Sequence, residues 1–199
     1  MRLISLLHLV IFTLAPPALA QEKIPPERMV ELFKASPIEC VLPSNGAQGC
    51  RSVEVYSFLT DTRGFVTTTT AFEINDTEFL RMHTTDSFRV TDSGFCSTGA
   101  QAIKDAHLEV VRQLDYQGDF KRYDLKDDFR EIVQKQFLNP VIAVFDSSTY
   151  CAKYFIPQDQ SQPNEIEFIG YLDGEVSNEG RSLLLGMDEE SRIILSPEE

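Results

Sequence analysis

The chain has no tryptophan, only three histidines and four cysteines in 199 residues, and its 18 Lys and Arg are outnumbered by 31 Asp and Glu. Each shortage closes off a class of function. The acidic surplus leaves a formal net charge of −13, which nucleic-acid phosphate and anionic lipid repel, so a nucleic-acid partner is excluded. No Cys-x-x-Cys is present for thiol exchange, and the cysteine spacings do not suit a structural zinc site. No Gly-rich loop follows a strand-like segment to cradle phosphate, and no Gly-x-Ser-x-Gly elbow offers a nucleophile. No repeat period suggests a solenoid. Beyond the first twenty residues no apolar run reaches the length of a membrane span.

What is there begins with a leader. Arg2 precedes an almost wholly apolar stretch over residues 3–14, and Ala15-Pro-Pro-Ala-Leu-Ala20 ends in a small-x-small cleavage pattern. The apolar stretch spans about 18 Å as a helix, short of the roughly 30 Å hydrocarbon core, so it reads as an export signal rather than an anchor. Gln21 stands where a lipid-bearing Cys is needed, and no Arg-Arg pair points to the twin-arginine route. The expectation is a signal peptide over residues 1–20 and a single domain over 21–199, working in the periplasm or, alternatively, secreted. Asn75-Asp-Thr77 is a glycosylation sequon that matters only in a eukaryotic secretory route.

Cys40, Cys50, Cys96 and Cys151 all follow the leader. An even count in an exported chain predicts two disulfides, for which three pairings are open. Pro43 and Asn45-Gly46 mark a turn between Cys40 and Cys50, which favours Cys40–Cys50 with Cys96–Cys151. Closing those two loops is worth about 3 and about 4 kcal/mol of chain entropy.

Periodicity predicts an α+β fold, with an antiparallel meander packed against amphipathic helices and cross-linked twice. Pro25-Pro26 opens a helix with Met29, Leu32 and Phe33 on one face, ended by Pro37. Period two then takes over: strands over 52–60, 65–74, 78–84 and 87–91, with Val53, Val55 and Leu59 sharing one side of the first. Ile103, Ala106, Val110 and Leu114 suggest a helix over 97–115. Asp124 caps a second with a Leu125, Phe129, Ile132, Val133 and Phe137 stripe, stopped at Asn139-Pro140. Strands are expected at 141–146, 150–156 and 165–172, with a last hairpin over 181–185 and 192–195.

Candidate chemistry is thin. His83 and His107 remain for acid–base work, and His107 falls on the apolar stripe of its expected helix, a structural position. A hydrolytic constellation can be drawn from His83, Ser93 and Asp86 or Asp92, although Asp-Ser-Gly is also an ordinary turn. Asp124, Asp127 and Asp128 read as helix capping. Asp173-Gly-Glu-Val-Ser-Asn-Glu179 opens like a calcium loop, but Asn178 replaces its essential Gly and Leu184 its bidentate Glu. Thr67–Thr70 is a run of good strand formers. No catalytic, cofactor or metal residues are therefore assigned. The expected role is non-enzymatic binding or interaction within the envelope, with a cationic envelope protein as the partner that suits the charge. A small hydrolase using His83 is the rival, and small-molecule carriage in the cleft of a curved sheet is a third reading.

Overall fold

The computed structural model describes residues 21–44, 48–75, 78–97, 99–113, 120–124, 127–145, 148–188 and 193–196. The expected leader, the Asn45-Gly46 turn and two residues of the Asn75 sequon lie outside them. In chain order the elements are β1 (Glu22–Lys23), α1 (Pro26–Ala35), β2 (Ile38–Val41), β3 (Ser52–Thr60), β4 (Arg63–Asn75), β5 (Glu78–Thr91) and β6 (Gly94–Ser97). Then follow α2 (Ala100–Lys104), β7 (His107–Gln113), β8 (Phe120–Asp124), α3 (Asp127–Val133), a π-helical turn (Gln134–Leu138) and α4 (Asn139–Phe145). β9 (Tyr150–Ile156), β10 (Glu165–Leu172) and β11 (Glu175–Leu185) complete the fold.

The expected α+β layering is wrong. The strands form one antiparallel sheet in the order β9-β10-β11-β2-β3-β4-β5-β6, and β6 pairs back onto β9, closing an eight-stranded barrel. Closure removes sheet edges altogether, an alternative to burying one face under helices. β1 is appended to β9, while β7 and β8 extend the sheet beyond β5.

One local misreading has its cause in long-range pairing and another in a π turn. β5 runs unbroken from Glu78 to Thr91, but only Arg89–Thr91 pair with β6, leaving Glu78–His83 an open edge. That edge recruits β7, so the expected helix over 97–115 is reduced to α2 and the segment after it is strand. Val110-Val111 are β-branched, and a 3.6 period cannot be told from strand over so few residues. The expected stop at Asn139-Pro140 also fails. In the π turn the Asn139 N–H donates to the Gln134 carbonyl, five residues back. Pro140 is then the second residue of α4, near a helix start where a missing N–H is tolerated, and residues 141–145 are helix rather than strand.

α1 closes one end of the barrel. Pro26 occupies its first turn, and Met29, Val30 and Phe33 are buried. The Phe33 ring stacks on Tyr56 with centroids 3.9 Å apart and meets Phe95 and Tyr154 edge-on at 5.3 and 5.4 Å. Those three rings come from the inner faces of β3, β6 and β9, so Phe33 enters the barrel itself. Burying such a side chain contributes about 1.5–3 kcal/mol.

The barrel is sealed at a short ladder. β6 and β9 share three register pairs, Phe95↔Ala152, Cys96↔Cys151 and Ser97↔Tyr150, and the middle pair is a disulfide. Gly94 leads into this seam with φ 115°, and a Cβ there would stand 2.1 Å from the Ala152 carbonyl oxygen. The second disulfide joins Cys40 on β2 to Cys50. The Cys50 N–H donates to the Ile194 carbonyl and its own carbonyl accepts from Ser196 N–H, each at 2.8 Å, holding the C-terminal segment to the barrel. Two such bridges belong to an oxidising, extracytoplasmic compartment. Among the described residues no helix is long and apolar enough to cross a membrane.

Candidate functional site: the barrel interior

Side chains alternate across a strand, so closing the barrel decides which half of each strand faces inward. On β3 the inward set is Ser52, Glu54 and Tyr56. Leu59, expected on one side of the strand with Val53 and Val55, is 70% exposed. Both alternating sets of β3 contain apolar residues, and the aromatic one wins because Tyr56 stacks on Phe33. The Thr67–Thr70 run divides likewise: Thr68 and Thr70 line the interior, while Thr67 pairs outside with Thr85, hydroxyls 3.2 Å apart.

Above α1 the interior holds a cavity of about 450 Å³. Its floor is aromatic, made by Tyr56, Phe88, Phe95, Tyr154 and Phe168. The walls are polar at mid-height, with Thr68, Thr70, Thr84, Ser97 and Tyr150. Ala102 and Ile103 of α2, with Phe145 of α4, lie across the opposite end. Asp86 ties that cover down: its Oδ2 accepts the Gly99 N–H at 2.8 Å, and its Oδ1 accepts Ser87 N–H at 2.8 Å.

Two carboxylates stand at the floor. Glu39 Oε1 accepts from the Ser182 hydroxyl at 2.7 Å, and Oε2 lies 3.1 Å from both the Tyr56 and Tyr154 hydroxyls. Glu54 Oε2 lies 2.9 Å from the same Tyr56 hydroxyl, and the two tyrosine oxygens are 3.1 Å apart. Burial, and then the charge of Glu54, push the Glu39 carboxyl from the ordinary 4.5 up to about 8, against the hydrogen bonds from Ser182, Tyr56 and Tyr154. Burial also raises Glu54, opposed by the Tyr56 hydrogen bond and by the positive charge of Arg51. Glu54 keeps some accessible surface, which faces the cavity. Burial first, then the Glu39 and Glu54 charges, raise Tyr56 and Tyr154, so both remain neutral donors.

The Tyr56 hydroxyl has one proton for two carboxyl groups, so a proton retained on the Glu39–Glu54 pair completes the network, with Tyr154 and Ser182 donating to Glu39. Of the two, Glu54 is the one that faces Arg51 and the cavity. Nearer the rim, the Tyr150 hydroxyl donates to Asn178 Oδ1 at 3.1 Å. Among the described residues no buried side-chain nitrogen or oxygen lacks a partner.

The residues singled out from sequence lie elsewhere. His83 and Asp86 are three residues apart on one strand and so face opposite ways. Ser93 and Asp92 occupy the β5–β6 turn, about 25 Å of strand beyond His83, and the hydrolytic constellation is not assembled. His83 instead joins a cross-strand network outside the cavity. Its Nδ1 is 2.9 Å from Thr69 Oγ1, and its Nε2 is 2.9 Å from Glu109 Oε1. Arg81 pairs with that same Glu109 oxygen, making it a poor partner for a base. His107 stacks on His83 at 6.1 Å, on β7 rather than on a helix. Asp173 sits in the β10–β11 turn, where Oδ1 accepts Thr149 N–H at 2.8 Å, and Asn178 belongs to β11, so no calcium loop forms. Asp124 ends β8, and Asp127 and Asp128 begin α3. No group of three or more metal-ligating side chains occurs among the described residues.

Sequence reasoning missed Glu39 and Glu54. Glu39 interrupts the apolar run Ile38-Glu-Cys-Val41, whose four residues are all buried, and a lone acid in such a run was the available signal. No family model, curated protein or solved structure matches the chain, so no relative supplies a role for these residues.

Proposed function

We propose that this is a non-enzymatic binding domain of the periplasm, carrying one small molecule inside its barrel. The observation that supports the reading is the cavity itself: about 450 Å³, partly covered and open to solvent on one side, with polar groups converging on an aromatic base. An eight-stranded barrel is just wide enough either to be filled by its side chains or to hold one small ligand. Here the threonines, serines and alanines of the walls leave it unfilled. A few placed polar groups in an otherwise apolar hollow are the usual make-up of a ligand site. The cover formed by α2 and α4 belongs to an excursion between β6 and β9, so it can move without breaking the barrel ladder.

Native mass spectrometry on protein released by osmotic shock from its own host tests this. A stoichiometric small adduct is expected, lost in a Thr68→Phe variant that fills the cavity while keeping the strand. Protein that leaves the host at its bare mass, and gains no adduct from a small-molecule extract of the envelope, refutes carriage. Retention in the cytoplasmic fraction refutes the compartment.

A further inference from the structure

The chemistry of the cavity narrows what it carries. Among the described lining residues four bear ionisable charges: Glu39, Glu54 and Asp86 against Arg51. Asp86 is committed to two backbone N–H groups, and Glu39 to three hydroxyls. Glu54 has the Tyr56 hydroxyl on one oxygen, and its accessible surface opens into the space above the floor. Around it the floor presents aromatic rings, whose faces carry the negative lobes of their quadrupoles. Aromatic rings grouped with a carboxyl group in a partly enclosed hollow are an arrangement that attracts an organic ammonium. An anionic ligand meets the opposite: three carboxyl groups against one guanidinium among the described lining residues.

Resting on the carriage reading, we propose that the bound molecule is a compact aromatic or alicyclic amine, its ammonium against Glu54 and its ring among Phe88, Phe95 and Phe168. The available space equals about fifteen waters of liquid volume, which suits a single fused ring system with a short arm. Glu39 and the Tyr56 hydroxyl lie behind Glu54, so the incoming cation also stabilises ionised Glu39. Binding then releases a proton near neutral pH.

The test uses the whole exported protein and three probes of one shape: tryptamine, its neutral analogue tryptophol, and indole-3-acetate. Calorimetry in two buffers of different ionisation enthalpy reads affinity and proton release together. Tryptamine is expected to bind about tenfold or more tightly than tryptophol, with proton release, and indole-3-acetate more weakly than either. Glu54→Gln is expected to erase the preference for the amine while tryptophol binding is retained. Equal binding of tryptamine and tryptophol, or tighter binding of the acid, overturns the amine assignment. So does failure of all three probes. Carriage itself is judged separately by the native adduct mass.

Discussion

Removing the Cys96–Cys151 bridge is the sharpest probe of how the barrel holds itself shut. β6 and β9 are joined by three register pairs, and everything from α2 to α4 lies in the excursion between them. The bridged residues are 55 apart in sequence, so the cross-link removes about 4 kcal/mol of loop-closure entropy from the unfolded chain. A domain stable by about 5–15 kcal/mol loses much of its margin with it. In Cys96→Ala/Cys151→Ala the urea midpoint should fall by on the order of 2 M, taking a slope of about 1–3 kcal/mol per M. The chain lacks tryptophan, so far-UV circular dichroism is the practical signal. Hydrogen exchange supplies the local readout: amides of β6 and β9 should lose protection well before those of β3 and β4, whose ladder is long. A loss below about 1 kcal/mol, or seam and β3–β4 amides exchanging alike, would refute the reasoning.

Two further outcomes follow from the floor of the barrel. Glu39 has its folded pKa raised from 4.5 to about 8, so the folded state holds an extra proton between those values. Stability should therefore fall as pH rises through that window, by up to about 1.4 kcal/mol per pH unit. Glu39→Gln, which mimics the protonated acid, should flatten the profile, and identical wild-type and variant profiles by chemical denaturation count against it. Phe33→Ala removes the fully buried ring that α1 inserts between Tyr56, Phe95 and Tyr154. It should cost about 3–5 kcal/mol by the same denaturation assay, and a loss under about 1 kcal/mol means that α1 does not plug the barrel.

Local features were legible because local chemistry governs them. Pro25-Pro26 and Pro37 bracket α1 to within a residue or two, since proline fits a first turn and cannot continue a helix. The β3–β4 hairpin shows as a turn tetrapeptide between threonine- and valine-rich runs. Cys40 and Cys50, flanking a turn sequence, form a bridge for the same reason. The helix read over 97–115 failed because β7 exists only where the free edge of β5 takes it in, a partner more than twenty positions back in the chain.

Composition and residue order alone thus determined an acidic chain, an apolar stretch over residues 3–14, an even set of cysteines and the alternation that makes strands. Only tertiary structure decided that the strands close on themselves, and closure is what turns Glu39, Glu54 and Tyr56 inward. Alternation sorts a strand into two faces without naming the inner one. That choice belongs to the β6–β9 seam and to the Phe33 ring seated inside it, contacts between residues far apart in the chain.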